Sequence, residues 1–175
     1  MKKIVLLLIG FLFLSVVQIK NPIEKFMKPV TNPEEVSRNL ATINGWNSTT
    51  KPIIKNKITP TSDWELLYCY KSGWHENTPN QRFDISELYT GIPGNRISGA
   101  TLLNWVKAHH QDDIIYSDNP YRFNLLSIER NDPYNGKWVV YSLHENRINL
   151  CYIHSYPNGN QSSWLHKTEY IFQLK

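Results

Sequence analysis

Several signatures of catalysis are missing from this sequence. It contains no Gly-x-Ser-x-Gly motif, which positions a nucleophilic serine, and no glycine-rich loop of the kind that cradles phosphate groups. Its two cysteines lack the Cys-x-x-Cys spacing of thiol oxidoreductases. No internal repeat is convincing either. The sequence therefore names no reaction, and function has to be inferred from composition and organisation.

A basic patch is also missing. The formal net charge is +4, but Lys2 and Lys3 supply +2, and residues 20–60, with seven basic and three acidic residues, supply +4. Residues 61–175 are left with a net charge of −2, and their basic side chains are scattered. Because nucleic-acid-binding domains carry clustered Lys and Arg, we predict no nucleic-acid partner.

The beginning of the chain is apolar. After Lys2 and Lys3, residues 4–19 form an apolar run of sixteen residues, between the roughly 7–15 of a signal-peptide core and the roughly 17–25 of a membrane span. The run contains no alanine, and its best cleavage candidate, residues 15–17, has valine where signal peptidase prefers a small side chain. We predict a signal peptide or an uncleaved membrane anchor over residues 1–19. The protein is then exported to the periplasm or another extracytoplasmic space, and an uncleaved run tethers it to the inner membrane.

Two regions follow the apolar run. Residues 20–62 contain five prolines and are predicted to be a flexible linker with one short helix, which Asn32 caps and Pro33 begins. Residues 63–175 are rich in aromatic side chains and asparagine, which favour strands and the turns between them. We predict a single exported globular domain over this second region.

The domain is predicted to have an α+β fold. The segment "WELLYCYKSGW" alternates as a strand does, and Ser98 is placed to cap one main helix that ends near residue 110. Three β-rich runs, "KWVVYSL", "INLCYIHSY" and "WLHKTEYIFQL", predict a C-terminal antiparallel meander. The predicted architecture is therefore an antiparallel sheet, built from this meander and earlier strands, with one main helix.

The turns of the meander predict its register. A two-residue turn at Asn158-Gly159 sets Cys151 against His166, and a four-residue link over residues 144–147 sets Val140 against Cys151. The side chains that then share one core face are Trp138, Val140, Cys151, Ile153 and Trp164. Cys151 is therefore predicted to be buried.

The two cysteines suggest a disulfide. Cysteines in an exported chain commonly pair, and Cys69, in the middle of a predicted strand, can also point inward. We predict a Cys69–Cys151 bridge. Two buried free thiols, each acting as a small apolar side chain, are the alternative.

Histidines and carboxylates are the only candidates for catalysis or metal binding. The catalytic candidates are His75, Glu76, His109, His110 and Asp112. Adjacent histidines point about 100° apart on a helix, so His109 and His110 do not ligate one ion together, and a histidine near a helix C-terminus is favoured by the exposed carbonyls. A zinc site using Cys151 and His166 would need a third ligand. We predict no metal and no cofactor.

Tether, charge and composition together favour a binding protein. We predict an exported bacterial envelope protein that binds a partner protein, as an accessory subunit of an envelope assembly or as a toxin-neutralising protein. One alternative is a carbohydrate-binding module that uses Trp74, Tyr89 and Tyr121. Another, less favoured, is a small envelope hydrolase, which requires His75 to converge with His109. Protein binding predicts an exposed aromatic patch, and burial of every tryptophan would argue strongly against it.

Overall fold

A computed structural model describes residues 21–45, 57–75, 84–109, 113–119, 132–158 and 162–175. Within these residues, eight strands form one sheet and two α-helices accompany it. The strands are β1 (Met27–Pro29), β2 (Asp63–His75), β3 (Asp84–Gly91), β4 (Ile97–Ser98), β5 (Ile115–Tyr116), β6 (Lys137–Tyr141), β7 (Arg147–Asn158) and β8 (Ser162–Leu174). The helices are α1 (Pro33–Gly45) and α2 (Gly99–His109). The predicted α+β class is confirmed.

The sheet is mostly antiparallel. Its strand order is β1-β3-β2-β8-β7-β6-β5, and β4 pairs with the beginning of β2. Among the described pairs only β5 and β6 are parallel. The C-terminal meander is confirmed, because β6, β7 and β8 are consecutive antiparallel neighbours. The two long strands β2 and β8 lie side by side at the centre of the sheet.

The predicted caps of both α-helices are confirmed. The Oδ1 atom of Asn32 accepts a hydrogen bond from the Glu34 N–H at 3.0 Å, at the start of α1. The Oγ atom of Ser98 accepts one from the Thr101 N–H at 3.2 Å, at the start of α2. The segment "GIPGNR" turns with Gly94 at a φ of 81°, which glycine adopts without steric cost. These features depend on neighbouring residues alone, so the sequence predicts them well.

Removing the Ser98 cap gives the first testable prediction. A Ser98→Ala variant leaves the first-turn N–H of Thr101 without its side-chain acceptor, so we expect a loss of about 1 kcal/mol in the free energy of unfolding. Ser98→Asp keeps an acceptor beside the positive end of the helix and is expected to stay near wild type. Urea unfolding of both variants measures the difference. An equal loss in both variants would show that the cap is not the cause.

The sheet buries side chains on both of its faces. We call the side that packs against α2 the α2 face, and its central side chains are Trp64, Leu66, Cys69, Trp138, Val140, Leu150, Tyr170 and Phe172. Leu102, Trp105 and Val106 of α2 pack against them. We call the other side the network face, and its central side chains are Tyr70, Val139, Tyr141, Cys151, Ile153, Lys167, Glu169 and Ile171.

The predicted registers of both C-terminal hairpins are wrong. Cys151 lies opposite Val139 instead of Val140, because the turn before β7 closes through Asn146, which has a φ of 60° that asparagine tolerates. On the other side, Cys151 lies opposite Glu169 instead of His166. Three residues, 159–161, separate Asn158 from its partner Ser162, in place of the predicted two-residue turn. Cys151 therefore moves to the network face, since an odd shift in register exchanges the faces of a strand.

Two parts of the predicted 20–62 linker belong to the sheet domain. Ile23 is fully buried, and β1 pairs with β3. Ile58 is 5% exposed, and its N–H donates to the Tyr116 hydroxyl at 3.1 Å. Among the described residues no helix is long and apolar enough to cross a membrane, and residues 1–20, which contain the predicted anchor, lie outside them.

Candidate functional site

The most unusual group in the described structure is a buried ion pair. Lys167 and Glu169 lie two residues apart on β8, so both point to the network face. They are 2% and 1% exposed, and the Lys167 Nζ lies 2.7 Å from the Glu169 Oε2. Burial of a charge costs several kcal/mol unless partners compensate for it. The surroundings of this pair therefore decide whether it is tolerated.

Polar neighbours surround the Glu169 carboxyl group. The Tyr70 hydroxyl donates to Oε2, the Tyr141 hydroxyl donates to Oε1, and the Asn149 Nδ2 donates to Oε1 at 2.6 Å. The Lys167 Nζ donates to the Tyr70 hydroxyl at 2.9 Å as well as to Glu169. Four donors thus converge on one carboxyl group, as buried charged groups require.

Four adjacent strands supply these side chains. Tyr70 on β2 is the direct cross-strand partner of Glu169, and Cys151 on β7 is its partner on the other side. Tyr141 on β6 is the partner of Asn149 on β7. The network therefore ties β2, β8, β7 and β6 together across the centre of the sheet.

Burial shifts the proton equilibria of the pair. It raises the pKa of Glu169 well above its ordinary range and lowers the pKa of Lys167. The donors around Glu169 favour its carboxylate form and oppose the effect of burial. A charged pair and a neutral pair each hold one proton, so either form leaves the buried site without net charge. Because neither group is more than 2% exposed, the network suits a structural role better than contact with a substrate.

The structure contains no Cys69–Cys151 disulfide, which corrects the predicted pairing. Both cysteines are free and buried. Cys69 lies opposite Tyr170 and points to the α2 face, whereas Cys151 lies opposite Glu169 and points to the network face. Strand β8 also separates their strands, so two strand spacings of about 4.8 Å lie between them. That exceeds the roughly 7 Å over which two Cα atoms can be bridged.

The thiols give a second testable prediction. Burial raises the pKa of Cys69 to about 12 and that of Cys151 to about 11, so neither is a thiolate at pH 8. We expect the folded protein, purified without reductant, to resist iodoacetamide, and the protein in guanidinium to take up two carbamidomethyl groups. Intact-mass spectrometry counts them. No labelling of the unfolded, unreduced chain would instead reveal a disulfide.

Only one of the predicted catalytic residues is placed with its side chain. The Nδ1 atom of His109 lies 2.9 Å from the Trp105 carbonyl oxygen, and the two rings are 5.1 Å apart. His109 therefore packs on the last turn of α2. The side chain of His75, and Glu76, His110 and Asp112 altogether, lie outside the described residues. Among the described residues no group of three or more His, Cys, Asp or Glu is arranged to hold a metal ion.

Of the predicted carbohydrate-binding residues, only Tyr89 is placed. Its hydroxyl donates to the Glu87 Oε2 at 2.7 Å, and this hydrogen bond is the main cause that raises its pKa to about 12. The Lys71 Nζ lies 5.3 Å from the centre of its ring. The Trp74 side chain and Tyr121 lie outside the described residues. The described tryptophan side chains, Trp64, Trp105 and Trp138, are all buried.

A partly exposed surface continues the α2 face beyond the helix. We call it the open strip, and it consists of Lys71, Tyr89, Tyr152, His154, His166 and Thr168. His166 is exposed and the other five are half-buried. Lys71 and Tyr152 flank Thr168 as its cross-strand partners, and His154 lies opposite His166. The open strip is therefore a row of aromatic and polar side chains on four adjacent strands, β3, β2, β8 and β7.

Sequence reasoning missed both the network and the open strip. Lys167 and Glu169 alternate with His166 and Thr168, so four consecutive residues are polar, as in a strand that is exposed to solvent. The pairing of Glu169 with Cys151 is needed to recognise that Lys167 and Glu169 are buried. Comparison with known proteins gives no further help: no family model, curated protein or solved structure matches the chain.

Proposed function

We propose that this protein is an exported bacterial envelope protein that acts by binding a partner protein through the open strip. The observation that carries the proposal is a set of half-buried amphipathic side chains, Tyr89, Tyr152 and His154, on the sheet face beyond α2. Tyrosine offers a large apolar area with a polar end at little cost in conformational entropy, and it is enriched at protein interfaces. The predicted exposed aromatic patch would thus be built from tyrosines.

The strands below the strip support binding. Trp138 and Tyr152 are cross-strand partners with ring centroids 5.2 Å apart, and Trp105 of α2 packs on Trp138 at 4.7 Å. Side chains that are fixed by a packed core lose little freedom when a partner binds. The ion pair of Lys71 and Glu87, 3.5 Å apart and partly exposed, lies at the rim, where charges contribute to orientation more than to affinity.

The way in which the chain enters the domain supports export. The described residues begin at Asn21, whose Nδ2 donates to the Tyr170 hydroxyl at 2.8 Å, and Ile23 is buried in the core. The apolar run ends at residue 19. An uncleaved run would thus hold the sheet domain close to the membrane, whereas cleavage after residue 17 would leave a mature chain that begins three residues before Asn21.

The N-terminus can be tested by itself. The protein is isolated from the envelope fraction of its host, extracted with alkaline carbonate, and its intact mass is measured. A full-length mass in the membrane pellet identifies an anchor, and a mass that lacks about 17–20 residues in the soluble extract identifies a signal peptide. A full-length protein in the cytoplasmic fraction would contradict export.

Partner binding is tested by photo-crosslinking in the native host. A photoreactive amino acid at Thr168, in the middle of the open strip, is compared with one at Glu145, which is exposed in the turn between β6 and β7. We expect a discrete protein adduct from position 168 and none from position 145. No adduct from 168, or equal adducts from both positions, would contradict the proposal. Retention on envelope polysaccharide without a protein adduct would favour the carbohydrate-binding alternative.

A further inference from the structure

We propose that His154 and His166 form a binding site for one divalent transition-metal ion. The two residues are direct cross-strand partners on β7 and β8, so their side chains project from the same face of the sheet. Cβ atoms of such partners are about 4.5–5.5 Å apart, which allows one nitrogen of each imidazole to approach a common ion. The site goes beyond the proposed function and needs no partner protein for its test.

The His154 ring is held in place on two sides. It stacks on Tyr152 with an interplanar angle of 13° and a centroid distance of 6.3 Å. Its Nδ1 atom is buried beside Gly136, where an added Cβ would lie 3.2 Å from that nitrogen. Gly136 is fixed in turn, because its N–H donates to the Ile153 carbonyl at 2.9 Å. These contacts fix the plane of the ring, and a positioned imidazole is a better ligand than a mobile one.

The exposed position of His166 gives the remaining ligands of the ion access from solvent. His166 is exposed, and its partner on the other side, on β2, is Gly73, which has no side chain. Lys71, the cation of the open strip, is 3.5 Å from Glu87, and Lys167 points to the opposite face. Water molecules can therefore complete the coordination of an ion that is bound by two imidazoles.

The chemistry of the donors defines the class of ion. Two neutral imidazoles suit Cu²⁺, Ni²⁺ and Zn²⁺, whereas Mg²⁺ and Ca²⁺ prefer oxygen ligands. Among the three, affinity is expected to be highest for Cu²⁺.

The test is a calorimetric titration of the full chain with Cu²⁺, Ni²⁺ and Zn²⁺, each alone. We expect one ion per chain, an affinity at least ten-fold weaker in His166→Gln, and no site-specific binding in His154→Gln/His166→Gln. His144→Gln is the matched control, since His144 precedes β7 at the end far from His154, and its affinity should equal that of wild type. Circular dichroism verifies that each variant is folded, and His166→Gln replaces an exposed side chain.

A spectroscopic measurement separates this site from binding elsewhere. Cu²⁺ on the wild-type chain should show electron paramagnetic resonance coupling to two imidazole nitrogens, and His166→Gln should show fewer. The proposal is overturned if wild type binds no ion or if the double variant binds as tightly as wild type. It is also overturned if His144→Gln loses as much affinity as the double variant.

Discussion

A Lys167→Met variant is expected to lose about 3 kcal/mol of unfolding free energy at pH 7 and to regain much of it in acid. Methionine fills a similar volume, so the main change is the loss of the positive charge 2.7 Å from Glu169. Breaking a buried pair by removing one partner leaves the other charge uncompensated, which costs about 3–5 kcal/mol. Glu169 then stays protonated in the folded protein, where burial raises its pKa.

The sign of the pH dependence follows from linkage. A group whose pKa is higher in the folded state stabilises the fold below its unfolded pKa, about 4.5 for glutamate, and this contribution is lost as the pH rises toward the folded pKa. Over that window Lys167→Met should lose about 1.4 kcal/mol per pH unit. Glu169→Gln should behave oppositely, because Lys167 then has a lowered pKa, and stability should fall as the pH drops below about 10.5.

Wild type is the reference for the pH dependence of the unfolding free energy in both variants. We expect the folded pair to hold one proton around neutral pH, as the unfolded pair does, and therefore to add little pH dependence there. The double variant Lys167→Met/Glu169→Gln retains neither charge and should be flat and more stable than either single variant at pH 7. Guanidinium unfolding between pH 4 and pH 9 gives all four curves. If the unfolding free energies of the two single variants changed with pH in the same direction, a proton shared by Lys167 and Glu169 would be contradicted.

The extent to which the sequence predicts this fold depends on the range of the interactions. The caps at Asn32 and Ser98 and the turn through Gly94 were predictable because each involves residues only two or three positions apart. The order of the last three strands was predictable for the same reason, since short connections join neighbours. The region before residue 63 was underestimated, because the burial of Ile23 and Ile58 depends on contacts with distant strands.

The register of the hairpins was beyond local prediction, and the errors at the candidate site follow from it. An Asn-Gly pair favours a two-residue turn, yet here three residues separate the paired positions Asn158 and Ser162. Long-range pairing of β8 with β2 competes with the turn preference and fixes Glu169 opposite Tyr70. Only that register reveals that Lys167 and Glu169 face the core and that His154 faces His166.

Among the described glycines that lie against β2, Gly91 is the one whose replacement by alanine is expected to lower the stability of the fold most. A Cβ added at Gly91 would lie 1.6 Å from the Leu66 carbonyl oxygen and 2.5 Å from the carbonyl carbon, and both atoms belong to the backbone of the central strand. The β2 strand has its register shift with β8 just after Leu66. Relief requires β3 to move away from β2, so we expect a loss of about 3 kcal/mol, at the upper end of the usual cost of overpacking.

Gly94→Ala is the matched control, three residues further along the same connection. Gly94 has a φ of 81° and no heavy atom within 4 Å of an added Cβ, so the only cost is the left-handed backbone, about 1–2 kcal/mol. Thermal unfolding followed by circular dichroism should therefore place the midpoint of Gly91→Ala well below that of Gly94→Ala. Equal midpoints would mean that β2 and β3 are not in such close contact. Since β3 is the strand with which β1 pairs among the described strands, Gly91→Ala should also loosen β1, and earlier proteolytic cleavage near residue 30 would show this.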